Sequence, residues 1–113
     1  MSEGVPGPED LKIIALARST RARQAAAEGA AVRDETGRTY TAAPVALPSL
    51  RLSALQLAVA MAVSSGAGEL EAAALVSDSE PAPGDLAAVR DAGPNAPVFH
   101  AAPDGTLRAT LIP

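Results

Sequence analysis

The segment SLRLSALQLAVAMAV, residues 49–63, decides how the rest of the chain is read. From Leu52 to Val63 it carries no charge, and its alanines and leucines favour helix. It is apolar nearly all round, a pattern that calls for burial on several sides rather than a place on the surface. Leu52 to Val63 falls short of the roughly 20 apolar residues that cross a bilayer. The segment therefore reads as a buried helix ending near Ser64-Ser65-Gly66, at the heart of an α/β domain. It holds no histidine, cysteine or carboxylate.

On the N-terminal side, residues 1–8 contain two glycines and two prolines and read as a flexible lead-in; residues 9–113 form a single domain. Glu9-Asp10 opens a helix, placed where acidic groups favour the positive helix end. Ile13, Ile14, Leu16 and Ala17 supply its apolar stripe, and it is expected to run to about Ala26. Two short strands, residues 30–33 and 38–42, flank the polar turn Asp34-Glu35-Thr36-Gly37 and read as a β-hairpin. Pro44 and Pro48 bracket an extended linker, because the residue before a proline avoids helix.

On the C-terminal side, residues 72–77 form an apolar run of the kind buried inside a sheet. Residues 84–92 read as a short helix stopped by Gly93-Pro94-Asn95. A strand over 97–100, a turn at Pro103-Asp104-Gly105 and a weaker strand over 106–111 complete the chain. The order α-β-β-α-β-α-β-β predicts a three-layer α/β/α sandwich, with helices on both faces of a five-stranded mixed sheet.

Composition narrows the function. With 13 acidic against 9 basic residues the formal charge is −4, and no basic cluster exceeds the Arg18, Arg21, Arg23 group. Nucleic-acid binding needs concentrated Lys and Arg, so it is excluded, and those arginines read as a solvated helix face. Cysteine is absent, which rules out disulfides and thiolate metal ligands. The acidic, turn-rich N-terminus is not a signal peptide, and a soluble cytoplasmic protein without membrane contact is expected. Apolar residues reach 48%, yet Tyr40 and Phe99 are the sole aromatics and much of the remainder is alanine. Such a core is thin, and association with further copies would help complete it.

Separated fragments of the chain resemble the cytidine deaminase family. Glu28-Gly29-Ala30-Ala31-Val32 is similar to the family's Val-Gly-Ala-Ala, and residues 34–41 to its acidic hairpin followed by a Tyr-Thr strand. Leu52-Ser53-Ala54-Leu55-Gln56-Leu57-Ala58 has the spacing of its first zinc motif, Cys-Ala-Glu-Arg-x-Ala. Val63-Ser64-Ser65-Gly66 resembles the end of that helix, Val76-Ser77-Asp78-Ser79 the end of the third strand, and Asp104-Gly105 through Leu111-Ile112-Pro113 the family's Asp-Gly … Leu-Leu-Pro. The resemblance covers residues 10–113.

The resemblance implies a cytidine-deaminase-like fold with its chemistry removed. Zinc in the family is held by a Cys or His on the buried helix and two cysteines opening the next helix, and a Glu shuttles protons for the metal-bound water. Those ligand positions fall at Ser53, Ala82 and Asp85, and the proton-shuttle position at Leu55. The sugar-binding Asn-Val-Glu-Asn falls at Pro44-Val45-Ala46-Leu47, so Pro44, Ala46 and Leu47 replace its polar residues. The family's phenylalanine falls at Ala26. Of the ligand positions only Asp85 carries a strong donor, which is too few for zinc, and leucine cannot carry a proton. Neither zinc nor another cofactor is expected.

Leu55, Leu47 and Ala82 are expected to fill the former site with apolar groups. Ser53 reads as an N-cap rather than a nucleophile, since no base is in view. Asp85 reads as a first-turn or capping carboxylate, His100 as a strand-end residue without a catalytic role, and Pro81 with Pro83 as a fixed turn. The leading expectation is a pseudoenzyme: a homo-oligomer, dimer or tetramer, that acts by binding an unknown protein partner. The alternative is a nucleoside-like small-molecule binder or an enzyme with a repurposed cleft, and an active deaminase stands last.

Overall fold

The structure, a computed structural model, describes residues 5–113. Its elements are α1 (Pro8–Arg23), β1 (Glu28–Asp34), β2 (Thr39–Ala42), β3 (Val45–Leu47), β4 (Leu50–Leu52), α2 (Ala54–Ser64), β5 (Leu70–Ser77), α3 (Pro83–Ala92), β6 (Val98–Ala101) and β7 (Leu107–Leu111). Five strands form a mixed sheet in the order β2-β1-β5-β6-β7. Its neighbours are antiparallel except β5 and β6, which run parallel and are joined by α3. Helices cover both faces, as the sequence predicts.

Side-chain alternation along β1 sorts the two layers. Ala31 faces α1 together with Ala72, Ala74, Val76, Phe99 and Ala101, and meets Ile13, Ile14 and Ala17 of that helix. Phe99 is the one large side chain among the sheet residues of this layer, so α1 lies very close to the strands. At Gly29 an added Cβ would come within 2.3 Å of the Ala17 carbonyl oxygen, so only glycine admits the helix there. On the opposite face Ala30, Val32, Ala73, Leu75 and Val98 pack against Ala54, Leu55, Ala58, Val59 and Ala62 of α2 and Val89 of α3.

The ends of α1 show how local chemistry sets boundaries. Pro8 occupies the first helical position, where its missing N–H has no consequence, and Asp10 Oδ2 accepts from the Gly7 N–H at 2.9 Å. The helix stops at Arg23, three residues short of the expected end, because Ala25 turns to φ 49 and the chain must reverse into β1. Of the expected lead-in, residues 1–4 lie outside the described residues, and Pro8 belongs to the helix.

The turn between β1 and β2 is organised by Asp34, buried at 2% exposure. Its Oδ1 accepts from the Thr36 hydroxyl at 2.7 Å and from the backbone N–H of Thr36 and Arg38 at 2.9 and 3.1 Å. Its Oδ2 accepts from the Tyr40 hydroxyl at 2.8 Å. The Thr36 hydroxyl, then Tyr40 and the two amides, stabilise the ionised carboxylate against burial and bring its pKa from 3.8 down to about 2. The same contact raises the Tyr40 pKa.

Two expectations are corrected between β2 and α2. The extended linker expected between Pro44 and Pro48 is a strand of a hairpin: Val45–Leu47 and Leu50–Leu52 pair antiparallel through a two-residue turn at Pro48-Ser49, forming a second sheet of their own. The helix of the opening segment therefore starts at Ala54, and Leu50–Leu52 precede it as a strand. Leu50-Arg51-Leu52 is too short for its alternation to separate a strand from a helix turn. Nor is α2 buried all round. Its inner stripe is enclosed, while Ala60, Met61, Val63 and Ser64 face outward, with Met61 38% and Val63 56% exposed.

Candidate functional site

Two helix N-termini meet on the α2–α3 face of the sheet. Ser53 caps α2: its hydroxyl oxygen accepts from the Gln56 N–H at 3.1 Å, and the Gln56 side-chain oxygen accepts from the Ser53 N–H at 3.0 Å. This reciprocal pair closes the first turn. Proline again opens the helix in α3, after Ala82, and Asp85 Oδ2 accepts from the Ala82 N–H at 3.0 Å. The other oxygen of Asp85 accepts from the Ser53 hydroxyl at 2.5 Å, tying the two helix ends together.

The electrostatics follow from the helices. Each N-terminus carries about half a positive charge, and two of them facing one another repel unless anions intervene. Asp85, at 5% exposure, provides one such anion between them. Glu28, from the first residue of β1, provides a second: its Oε2 accepts from the Ala54 N–H at 2.8 Å. Between them the two carboxylates engage donors at both helix starts.

Ser53 thus comes together with Ala82 and with Asp85, 32 residues on in sequence. They do not form a donor set for zinc. Ala82 has no side-chain donor, and both oxygens of Asp85 are already committed, to the Ser53 hydroxyl and the Ala82 N–H. Among the described residues no group of three or more His, Cys, Asp or Glu side chains is placed to hold a metal ion.

Leu55 is fully buried and belongs to the apolar core between α2 and the sheet. The expectation that Leu47 and Ala82 fill the site is corrected: Leu47 is 54% exposed on the hairpin, and Ala82 is exposed at the loop before α3. Leu47 belongs to strands that pair with each other and not with the main sheet, so it is not drawn over the helix ends. Pro44 and Ala46 are exposed on the same segment, and Ala26 is half-buried in the connection before β1.

His100 lies in its expected strand, one residue from the end of β6. It is 3% exposed within β6, on the face that carries α3. Its Nε2 lies 3.2 Å from the Ser77 carbonyl oxygen and 3.3 Å from the Ser77 hydroxyl oxygen. Carbonyl oxygen only accepts, so the ring hydrogen is assigned to Nε2. Glu28 and Gln56 went unnoticed in the sequence. The Ser53-Ala54-Leu55-Gln56 spacing is a capping-box signature that reveals Gln56, whereas nothing local reveals Glu28.

Comparisons with known proteins come from this fold. The model of the cytidine deaminase-like family matches residues 6–105. The crystal structure of cytidine deaminase from Burkholderia pseudomallei superposes with a TM-score of 0.76 at 22% identity, covering 87% of this chain and 88% of that one. Cytidine deaminase from Mycobacterium tuberculosis gives 0.68 at 24% identity, over 87% of each chain. That from Mycobacterium leprae gives 0.67 at 20%, over 87% of this chain and 90% of the other. At these identities the likeness is one of fold. No curated protein sequence matches the chain.

Proposed function

The chain belongs to the cytidine deaminase-like family, and from that premise we propose that it is a zinc-free, catalytically silent member that works as an oligomeric binding or structural subunit. One observation carries the reading. The positions that align with the family's three ligands converge, yet the space between them is spanned by the Ser53–Asp85 hydrogen bond. A direct bond of this kind does what a bound ion does for two helix ends, without the ion. The aligned proton-shuttle position, Leu55, lies in the hydrocarbon core and offers nothing to a substrate.

Self-association is supported by what the chain leaves uncovered. Residues 39–68 carry a single charge, Arg51. Leu47 and Leu50 on the hairpin are 54% and 50% exposed, and α2 shows Met61 and Val63 outward. A self-paired hairpin of three residues per strand is marginal in water, so cover from a second copy stabilises it. Among the described residues no helix is long and apolar enough to cross a membrane, so these leucines serve no membrane-spanning helix.

The test is metal analysis of the purified protein together with a cytidine turnover assay. The expected result is no stoichiometric zinc and no uridine. Equimolar zinc accompanied by uridine would overturn the proposal. A chain that stays monomeric by light scattering at high concentration would remove the oligomeric half.

A further inference from the structure

The first turn of α3 has two flanks, and only the one toward α2 is closed. Beyond the other flank, toward β6 and β7, lies a cavity of about 420 Å³ whose lining includes Asp78, Glu80, Leu86, His100, Arg108 and Leu111. It opens outside the carboxyl end of β5, beside the sheet's one parallel pair. Small ligands commonly bind in such crevices of α/β sheets, and the volume falls in the small-ligand range.

The polar groups are placed by specific devices. In the β6–β7 ladder His100 pairs with Ala109 and Ala101 with Leu107, which leaves Arg108 as the extra residue of a bulge. A bulge re-aims a side chain, and here the Arg108 Nη1 reaches the Asp78 carbonyl oxygen at 2.7 Å. Its Nη2 stands 3.9 Å from Asp78 Oδ1, a loose pair whose carboxylate side chain is 80% exposed. His100 adds a buried wall fixed to Ser77, whose hydroxyl in turn donates to the Ser79 carbonyl oxygen at 2.5 Å, holding the loop that carries Asp78 and Glu80. Leu86 and Leu111 give the apolar side.

Charge selects the ligand class. A simple anion would face Asp78 and Glu80, and a simple cation would face Arg108. An uncharged ligand would bury the loose Asp78–Arg108 pair and leave Glu80 with no cation, at a desolvation cost. A small zwitterion pairs both signs. We propose that this cavity binds a free amino acid with an apolar side chain: its carboxylate on Arg108, its ammonium on Asp78 and Glu80, its side chain against Leu86 and Leu111. This site is separate from the Ser53–Asp85 junction, so finding zinc in the protein would sink the reading above and leave this one standing.

The experiment is titration of the whole chain with L-leucine, L-methionine and L-phenylalanine, followed by calorimetry and by amide chemical shifts. Saturable binding of at least one is expected, with shifts at residues 78–86 and 100–111. 4-Methylpentanoate and isopentylamine, each keeping one charge of leucine, should bind roughly tenfold more weakly or worse, as loss of a charged hydrogen bond implies. Arg108→Gln and Glu80→Gln alter exposed side chains that do not support the core, and should weaken binding by a similar factor. Arg51→Gln, on the distant hairpin, should leave it unchanged. Absence of saturable binding by all three amino acids would overturn the proposal, as would binding indifferent to Arg108→Gln. Capture of cytidine with no amino acid bound would overturn it equally.

Discussion

Asp34 and Asp85 are both buried, at 2% and 5% exposure, but they are satisfied at different ranges along the chain. Every hydrogen-bond partner of the Asp34 carboxylate lies within six residues, inside one hairpin. Asp85 takes one partner from its own helix start and the other from Ser53, 32 residues back. The first is a local device that organises a hairpin. The second exists only once two helices have been brought together, and so reports on the assembled fold. Two of the positions that the family resemblance singles out, Ser53 and Asp85, belong to the second.

The largest effect should come from placing a carboxylate on the helix that forms one side of the junction. Leu55→Glu buries an unpaired charge in a site that is fully enclosed, and a loss of about 3–5 kcal/mol is expected in denaturant unfolding. A variant that unfolds at the parent's denaturant midpoint at neutral pH would mean that Leu55 faces the junction rather than the core. Next comes Asp85→Ala, which strands the Ser53 hydroxyl and the Ala82 N–H together and removes an anion from two helix ends. The expected cost is about 2–4 kcal/mol. Asp85→Asn keeps an acceptor and should lose roughly half as much. Equal losses for the two would show that charge, and not hydrogen bonding, joins the helices.

The smallest effect sharpens the Asp34 side. Because its folded pKa is depressed to about 2 from 3.8, its contribution is fully present above the unfolded value and fades as pH falls through that window. Urea midpoints measured from neutral pH downward should drop below pH 3.8 in the parent. They should drop less steeply in Asp34→Asn, with a residual slope in part from Asp104, whose pKa is also lowered by the Thr106 N–H. Parallel slopes for parent and variant would contradict the turn network.

That difference in range also explains what could be read beforehand. The Asp34-Glu35-Thr36-Gly37 turn, the two strands beside it and the three helices carry their signals in neighbouring residues, and each lies close to where it was expected. The β3–β4 hairpin escaped because its strands are three residues long and Leu50–Leu52 merge with an uncharged helix sequence. The cover of α2 on one side only was illegible for a related reason: an apolar outer face records burial without saying by which molecule. The positions Ser53, Ala82 and Asp85 could be listed from motif spacing. The bond between two of them could not, since it depends on rotamers set by tertiary packing. Arg108 was invisible because a bulge, which has no reliable local signature, decides where it points.

The self-contained hairpin frees one stretch of this chain from the length constraint that binds the rest. A single inserted or deleted residue inside a paired strand exchanges its buried and exposed faces, so the main sheet polices its own length. The ladder of Val45–Leu47 with Leu50–Leu52 shares no strand with that sheet. Residues can be gained or lost around Pro48-Ser49 without shifting β2 or the start of α2. Drift in length is therefore cheapest between Ala42 and Ser53, the stretch that holds Pro44, Ala46 and Leu47. Chain length is held most tightly where strands of the main sheet pair with one another, and least in this arm.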